Sequence, residues 1–231
     1  MSQERKFYII CGHYGCGKSN FSMNLAMERA RMGRKVMLLD LDLVNPYFLS
    51  SGYKEMLEEM GIQVIAPLYA NTNVETPALP MNLNLVFETD ADVVMDVGGD
   101  DAGSVVLGRY HNQLSNVNYE LFYLINHYRN LTATASEAVE ILREIEAASR
   151  CKATGIVDNS HLKQETVWET KEKAFSFVDE TVALTGLPLI ATTIPKFVAQ
   201  ADSVQTLMAQ CAERKWYPVD IYVRAPWEND F

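Results

Sequence analysis

The chain has 231 residues, 48% of them hydrophobic and 22% charged, with a formal net charge of −10. This length and apolar content suit one α/β sheet domain with a large core, and the acidic balance excludes the electrostatic footprint of a nucleic-acid binder. No apolar run approaches the roughly 18 residues of a membrane span, and the polar start Met1-Ser2-Gln3-Glu4-Arg5-Lys6 lacks the pattern of a signal peptide. The expectation is therefore a protein that engages neither nucleic acid nor membrane.

Arg29, Arg31, Arg34 and Lys35 form the one dense basic cluster. It is expected to be a solvated helix end beside a favourable C-terminal dipole. Cys11, Cys16, Cys151 and Cys211 contain no CxxC pair, which argues against a zinc site or a redox dithiol. Scattered reduced thiols are expected of a cytoplasmic protein. Cys16 stands apart, because a thiol at a helix N-terminus has a lowered pKa; the alternative is a small side chain tolerated in a loop.

In chain order the pattern is alternation. Phe7-Tyr8-Ile9-Ile10-Cys11 predicts a first strand, and a helix follows from about 18 to 32 with Gly33 at its C-terminal cap. Lys35-Val36-Met37-Leu38-Leu39 is continuously apolar after the lysine, as a strand buried on both faces should be. A short helix around 53–60 stops at Gly61, and residues 62–66 predict a third strand. The stretch from Pro67 to Pro80 predicts a long binding loop, and 81–89 a short helix. Further strands are expected at 92–97, 121–126, 153–159, 188–194 and, at an edge, 219–223. Helices are expected near 103–115, 136–149, 166–185 and 198–213. With no repeat and no linker rich in Gly, Ser or Pro, residues 1–231 predict one doubly wound, mostly parallel sheet with helices on both faces.

In such sheets ligands bind beyond the carboxyl ends of the strands, and the chemistry-bearing residues of this chain fall there. Gly12-His13-Tyr14-Gly15-Cys16-Gly17-Lys18-Ser19 lies between the first strand and the first helix. This is the strand–GxxxxGK[ST]–helix arrangement of a phosphate-binding P-loop. Glycines let backbone N–H groups curl around a polyphosphate, and the helix N-terminus favours its charge. Lys18 would reach the β- and γ-phosphates and the Ser19 hydroxyl would ligate Mg²⁺. The bland reading is a tight glycine turn with a solvated Lys18.

Asp96, followed by Val97-Gly98-Gly99, is a Walker-B-like carboxylate expected to share the Mg²⁺ with Ser19. Asp40 and Asp42 end the second strand, and residues i and i+2 of an extended segment point the same way. One is expected to join the metal's water shell and the other to position the attacking water. Asp100 and Asp101 read as solvated or capping acids. Asn126 and Asn159 end apolar strands, where side-chain amides can read a purine edge. No NKxD run selects guanine, so adenine is the expected base. The catalytic residues are thus expected to be Lys18, Asp40 and Asp42, and the metal ligands Ser19, Asp40 and Asp96. The nucleotide contacts are expected at Gly12, Tyr14, Gly15, Cys16, Gly17, Lys18, Ser19, Asn20, Gly99 and Asn159. The four histidines have no metal-ligand spacing.

These stretches together resemble the SIMIBI class of P-loop NTPases. More narrowly, they resemble the nucleotide-binding domain family shared by cobyrinic acid synthases, septum-site and plasmid-partition ATPases, and nitrogenase iron protein. The likeness covers nearly the whole chain. Gly12 to Ser19 is similar to the family's P-loop, Leu38-Leu39-Asp40-Leu41-Asp42 to its switch I strand end, and Val94-Met95-Asp96-Val97-Gly98-Gly99 to its Walker B and switch II. Gly155-Ile156-Val157-Asp158-Asn159 resembles the strand with a base-contacting Asn, and Leu187 to Pro195 a late strand ending in Ile-Pro.

The resemblance implies binding of MgATP, slow hydrolysis and a nucleotide-dependent homodimer. The chain departs from individual branches. His13 stands where the partition branch has a signature lysine, and Tyr14 where a glycine is common. The C-terminal stretch, which includes Trp216-Tyr217-Pro218 and Trp227 to Phe231, is neither basic nor helical, unlike the septum-site branch. No cysteine pair suits the iron–sulfur branch, and there is no room for a glutamine-amidotransferase half. The expected function is a Mg²⁺-dependent ATPase switch for a partner the sequence does not identify. The alternatives are an ATP-dependent kinase or ligase with its acceptor in the loop at 67–80, and an assembly module with negligible chemistry.

Overall fold

The computed structural model describes residues 5–42, 53–66, 86–99, 101–130 and 132–222. Strand β1 (Phe7–Gly12) leads through the glycine-rich loop into α1 (Lys18–Arg31), β2 (Val36–Leu41), α2 (Tyr53–Glu59), β3 (Ile62–Ile65) and β4 (Asp92–Val97). Then follow α3 (Asp101–Arg109), α4 (His111–Leu114), β5 (Tyr119–Ile125), α5 (Ala135–Ser149), β6 (Gly155–Asp158) and α6 (Trp168–Thr185). The chain continues with β7 (Leu189–Pro195), α7 (Lys196–Ala199), α8 (Asp202–Gln210) and β8 (Trp216–Val219). These strands form one sheet in the order β3-β2-β4-β1-β5-β6-β7-β8, and every pairing is parallel. β1 lies between β4 and β5, so the loop after β1 opens between those two strand ends, where a doubly wound sheet binds ligands.

Alternate residues of β1 feed opposite cores, as a strand's two-residue period requires. Phe7, Ile9 and Cys11 pack with Leu107 of α3, Leu142 of α5 and Phe177 of α6. Tyr8 and Ile10 pack with Phe21, Met23 and Met27 of α1 and Leu57 of α2. The sheet is thus covered on both faces, which explains why its central strands read as unbroken apolar runs.

Three local expectations change. The basic cluster is not simply a solvated helix end. Arg29 and Arg34 grip Asp92, which is 0% exposed at the start of β4, with Arg34 bidentate at 2.6 and 3.0 Å and Arg29 at 2.8 and 2.9 Å. Burial would raise the Asp92 carboxyl, but hydrogen bonds from Arg34, Arg29 and the Lys6 amide outweigh it and hold the group below its ordinary range. The last strand is 216–219 rather than 219–223, with Pro218 tolerated because β8 is an edge strand. The helix near 198–213 is two pieces, α7 and α8. The expected loop at 67–80 and most of the helix at 81–89 lie outside the described residues.

Candidate functional site

The loop after β1 is held from three sides. Gly17, at φ +96°, caps α1 in a left-handed conformation that a side chain disfavours. A Cβ there would also stand 2.3 Å from Asn159 Nδ2. Asn159, just past β6, donates to the Cys16 carbonyl at 2.6 Å and accepts from the Thr193 hydroxyl at 2.7 Å. From β4, Gly99 approaches so closely that a Cβ would meet Lys18 Nζ and the Tyr14 amide nitrogen, each at 2.6 Å. The intrahelical ladder of α1 starts with Phe21 N donating to Gly17 O at 3.0 Å, and the first turn carries no acid. A helix opening of this kind favours an anion.

Lys18 is 6% exposed, and its ammonium donates to the His13 carbonyl at 3.1 Å, so it lies folded back across the loop it belongs to. Burial, followed by the Lys18 charge, lowers the pKa of His13. Ser22 Oγ donates to Asp96 Oδ1 at 3.3 Å, and Ser19 also bears on the Asp96 carboxyl. Asp96 is 1% exposed. Burial raises its carboxyl to about 6, and the Asp42 charge pushes the same way, against the hydrogen bonds of Ser19 and Ser22 and the Lys18 charge. Asp40 is the register partner of Asp96 on the neighbouring strand, which places two carboxylates side by side. Asp40 Oδ1 accepts from the Asp42 amide at 2.9 Å. Thus Lys18, Ser19, Asp40, Asp42, Asp96 and Gly99 come together at the carboxyl ends of β1, β2 and β4.

Other sequence-predicted residues take different parts. Tyr14 is 63% exposed on the loop. The Asn20 side chain joins the chain at 220–222, donating to Asp220 O at 3.0 Å and accepting from Tyr222 N at 2.8 Å. Cys16 is fully buried and its thiol pKa is raised, because burial outweighs the Lys18 charge and the Lys18 amide; this fits the small side chain held in a loop rather than a thiol activated by a helix N-terminus. Gly12 lies at the end of β1 against Leu124 O of β5. Asn126 closes its own turn, with Oδ1 accepting from Tyr128 N at 2.9 Å. Asp100 and the side chain of Asp101 lie outside the described residues.

One residue that the sequence reading passed over is Arg129, in the turn between β5 and α5. Its Nε, Cδ and Cζ lie 3.6–3.8 Å from where a Cβ on Gly15 would stand, so its side chain runs along the loop. A basic residue three positions past an apolar strand end was the available signal.

Among the described residues no cluster of three or more His, Cys, Asp or Glu side chains forms a metal site. A serine hydroxyl and one or two carboxylates are nonetheless a fitting set for Mg²⁺, a hard ion that takes oxygen ligands and completes its shell with water and phosphate. No helix among the described residues is long and apolar enough to cross a membrane.

A glycine-rich loop feeding a helix, flanked by a strand-terminal carboxylate, defines the site as a P-loop site in a parallel α/β sheet. No protein-family profile matches the chain, and no curated relative does. Solved structures do. Chloroplast FtsY from Physcomitrella patens is 16% identical, with a TM-score of 0.57, covering 83% of this chain and 59% of its own. FtsY from Mycoplasma mycoides is 14% identical, with a TM-score of 0.54, covering 92% of this chain and 68% of its own. The signal recognition particle receptor FtsY from Elizabethkingia anophelis, in complex with GDP, is 16% identical with a TM-score of 0.51, covering 84% of this chain and 58% of its own. FtsY belongs to the SIMIBI class of P-loop NTPases, and this chain has the fold of that class.

Proposed function

We propose that the chain is a Mg²⁺-dependent ATPase that works as a nucleotide switch for a partner protein, with a nucleotide-dependent homodimer as its working form. The observation that carries the reading is the gathering of Ser19, Asp96 and its register partner Asp40 with the Lys18 ammonium, which donates to the His13 carbonyl. Ser19 and Asp96, with Asp40 beside them, would hold Mg²⁺. That ion supplies charge neutralisation to the phosphates.

The chain's own residues do the rest. The loop from Gly12 to Ser19, continuing into Asn20, wraps the phosphates with backbone amides, using the glycines that keep Cβ atoms out of the cradle. Lys18 exchanges the His13 carbonyl for phosphate oxygen, a stronger charge-assisted partner. Asp40 and Asp42 orient the water that attacks. Gly99, packed on Tyr14 and Lys18, is the point at which β4 feels the terminal phosphate arrive and leave. Among the described residues this arrangement positions charge rather than supplying a further base, so turnover is slow until a partner completes the site.

Adenine is favoured because the loop Asn159-Ser160-His161-Leu162 carries no carboxylate to accept from the guanine N1–H and 2-amino group. Asn159 supports the site by fixing Cys16 to the strand ends. The testing experiment is equilibrium binding of ATP and GTP with and without Mg²⁺, by the native chain and Lys18→Ala. Tighter binding of ATP, strengthened by Mg²⁺ and lost in the variant, is expected. Equal binding by the variant would sink the reading, and preference for GTP would overturn the base assignment.

A further inference from the structure

The Arg129 side chain lies beside Gly15 of the phosphate-binding loop, and its guanidinium has no protein partner among the described residues. Arg29 and Arg34 bind Asp92, Arg214 binds Asp179, and Arg5 and Arg150 bind the carbonyls of Thr89 and Gly108; what sets Arg129 apart from the exposed Arg109 and Arg143 is its place beside Gly15 of the loop. The Arg129 charge is felt both at the Cys16 thiol of the P-loop and at the His161 imidazole past β6.

Its backbone is fixed. Arg129 N donates to Asn126 O at 3.2 Å, and Thr132 Oγ1 donates to the same carbonyl at 3.0 Å. Asn126 Nδ2 reaches His161 O at 3.4 Å, and His127 N donates to Ser160 Oγ at 3.1 Å. The turn is therefore pinned to the end of β6 as well as to itself. Gly15 is the point of the loop that the arginine passes, since a Cβ there would rest in ordinary contact with Arg129 Nε, Cδ and Cζ at 3.6–3.8 Å. Holding a long side chain against a backbone loop costs rotamer entropy. A planar cation with five donors, beside a loop shaped for an anion, matches phosphate oxygen.

We propose that Arg129 is a phosphate-binding residue of this site, a second cation that engages the nucleotide's polyphosphate from the β5 side while Lys18 engages it from within the loop. The proposal rests on the nucleotide reading above. Arg129 is exposed, so its replacement leaves the cores intact.

The test measures Mg²⁺-ATP binding to the native chain, Arg129→Ala and Arg129→Lys, together with displacement of ATP by inorganic tripolyphosphate, a probe with no base or sugar. Arg129→Ala is expected to weaken ATP and tripolyphosphate alike, on the order of ten- to a hundredfold, as loss of a charged hydrogen bond does. Arg129→Lys is expected to recover part of the loss and unfolding temperatures to stay unchanged. Native affinity in Arg129→Ala would overturn the proposal while leaving the nucleotide reading intact. Loss of ATP affinity with tripolyphosphate unaffected would assign Arg129 to the base or sugar and overturn it as well. Failure of the native chain to bind any nucleotide would overturn both readings at once.

Discussion

Asn159 joins the end of β6 to the phosphate-binding loop through one hydrogen bond, from its Nδ2 to the carbonyl of Cys16 at 2.6 Å, and Thr193 holds the other end of the same amide at 2.7 Å. Both partners are buried, so the shape of the loop depends on two strands that are distant in sequence. Asn159→Ala leaves the Cys16 carbonyl without its donor, while the Thr193 hydroxyl keeps the Asp158 carbonyl at 3.1 Å, a loss of about 1–3 kcal/mol. Nucleotide affinity should fall roughly tenfold or more, and the unfolding temperature should drop in the ligand-free protein. Titration with nucleotide alongside thermal denaturation checks both; unchanged affinity would show that the loop holds its shape unaided.

Gly99→Ala places a Cβ against backbone as well as side chain, 2.6 Å from the Tyr14 nitrogen and from Lys18 Nζ. Backbone gives way less readily than a side-chain end, so overpacking of about 1–3 kcal/mol is expected. The loop and the end of β4 must separate, and nucleotide binding should weaken more than stability does. Comparing nucleotide affinity with the denaturation midpoint separates the two effects.

Asp92 ties the N-terminal end of β4 to α1 through Arg29 and to the start of β2 through Arg34. Its side chain is fully buried while the two arginines keep 19% and 14% of their exposure. Asp92→Ala should therefore cost about 3 kcal/mol, the low end for breaking a buried pair. Because the folded-state pKa is depressed below the ordinary 3.8, the carboxylate stabilises the fold above that pH, and its contribution is lost as pH falls through the depressed value. Urea denaturation from pH 7 to pH 3 should show a steeper acid loss in the native chain than in Asp92→Asn.

Lys171 and Asp158 are both 0% exposed, 3.0 Å apart, with Lys171 also donating to Ser160 O at 2.7 Å. Lys171→Met strands the carboxylate and should destabilise by about 3–5 kcal/mol. Lys171→Met combined with Asp158→Asn should recover much of that loss. Additive losses in the denaturant midpoints would show that the two side chains do not act as a pair.

The sheet was legible because strands buried on both faces read as unbroken apolar runs, and the P-loop because glycine, lysine and serine sit at fixed local spacing. What escaped the sequence is what depends on long-range pairing. The Arg29 and Arg34 partners lie 63 and 58 residues from them, and nothing local marks Asp92 as their target. The last strand was placed three residues late because Val219-Asp220-Ile221-Tyr222 alternates like a strand. Asn24 instead takes both the amide and the carbonyl of Asp220, and Asn20 takes the Tyr222 amide, drawing 220–222 onto α1 and off the sheet. Asn159 was legible as a residue at the strand ends, but not its bond to Cys16, which spans 143 positions.

Turnover of nucleotide by Lys18 and its loop is the central claim. Phosphate release from MgATP by the purified chain, set against Lys18→Ala under the same conditions, measures it. Slow, Mg²⁺-dependent release that disappears in Lys18→Ala is the result predicted. Release that persists undiminished in the variant, or a native chain that neither releases phosphate nor binds ATP, would contradict it.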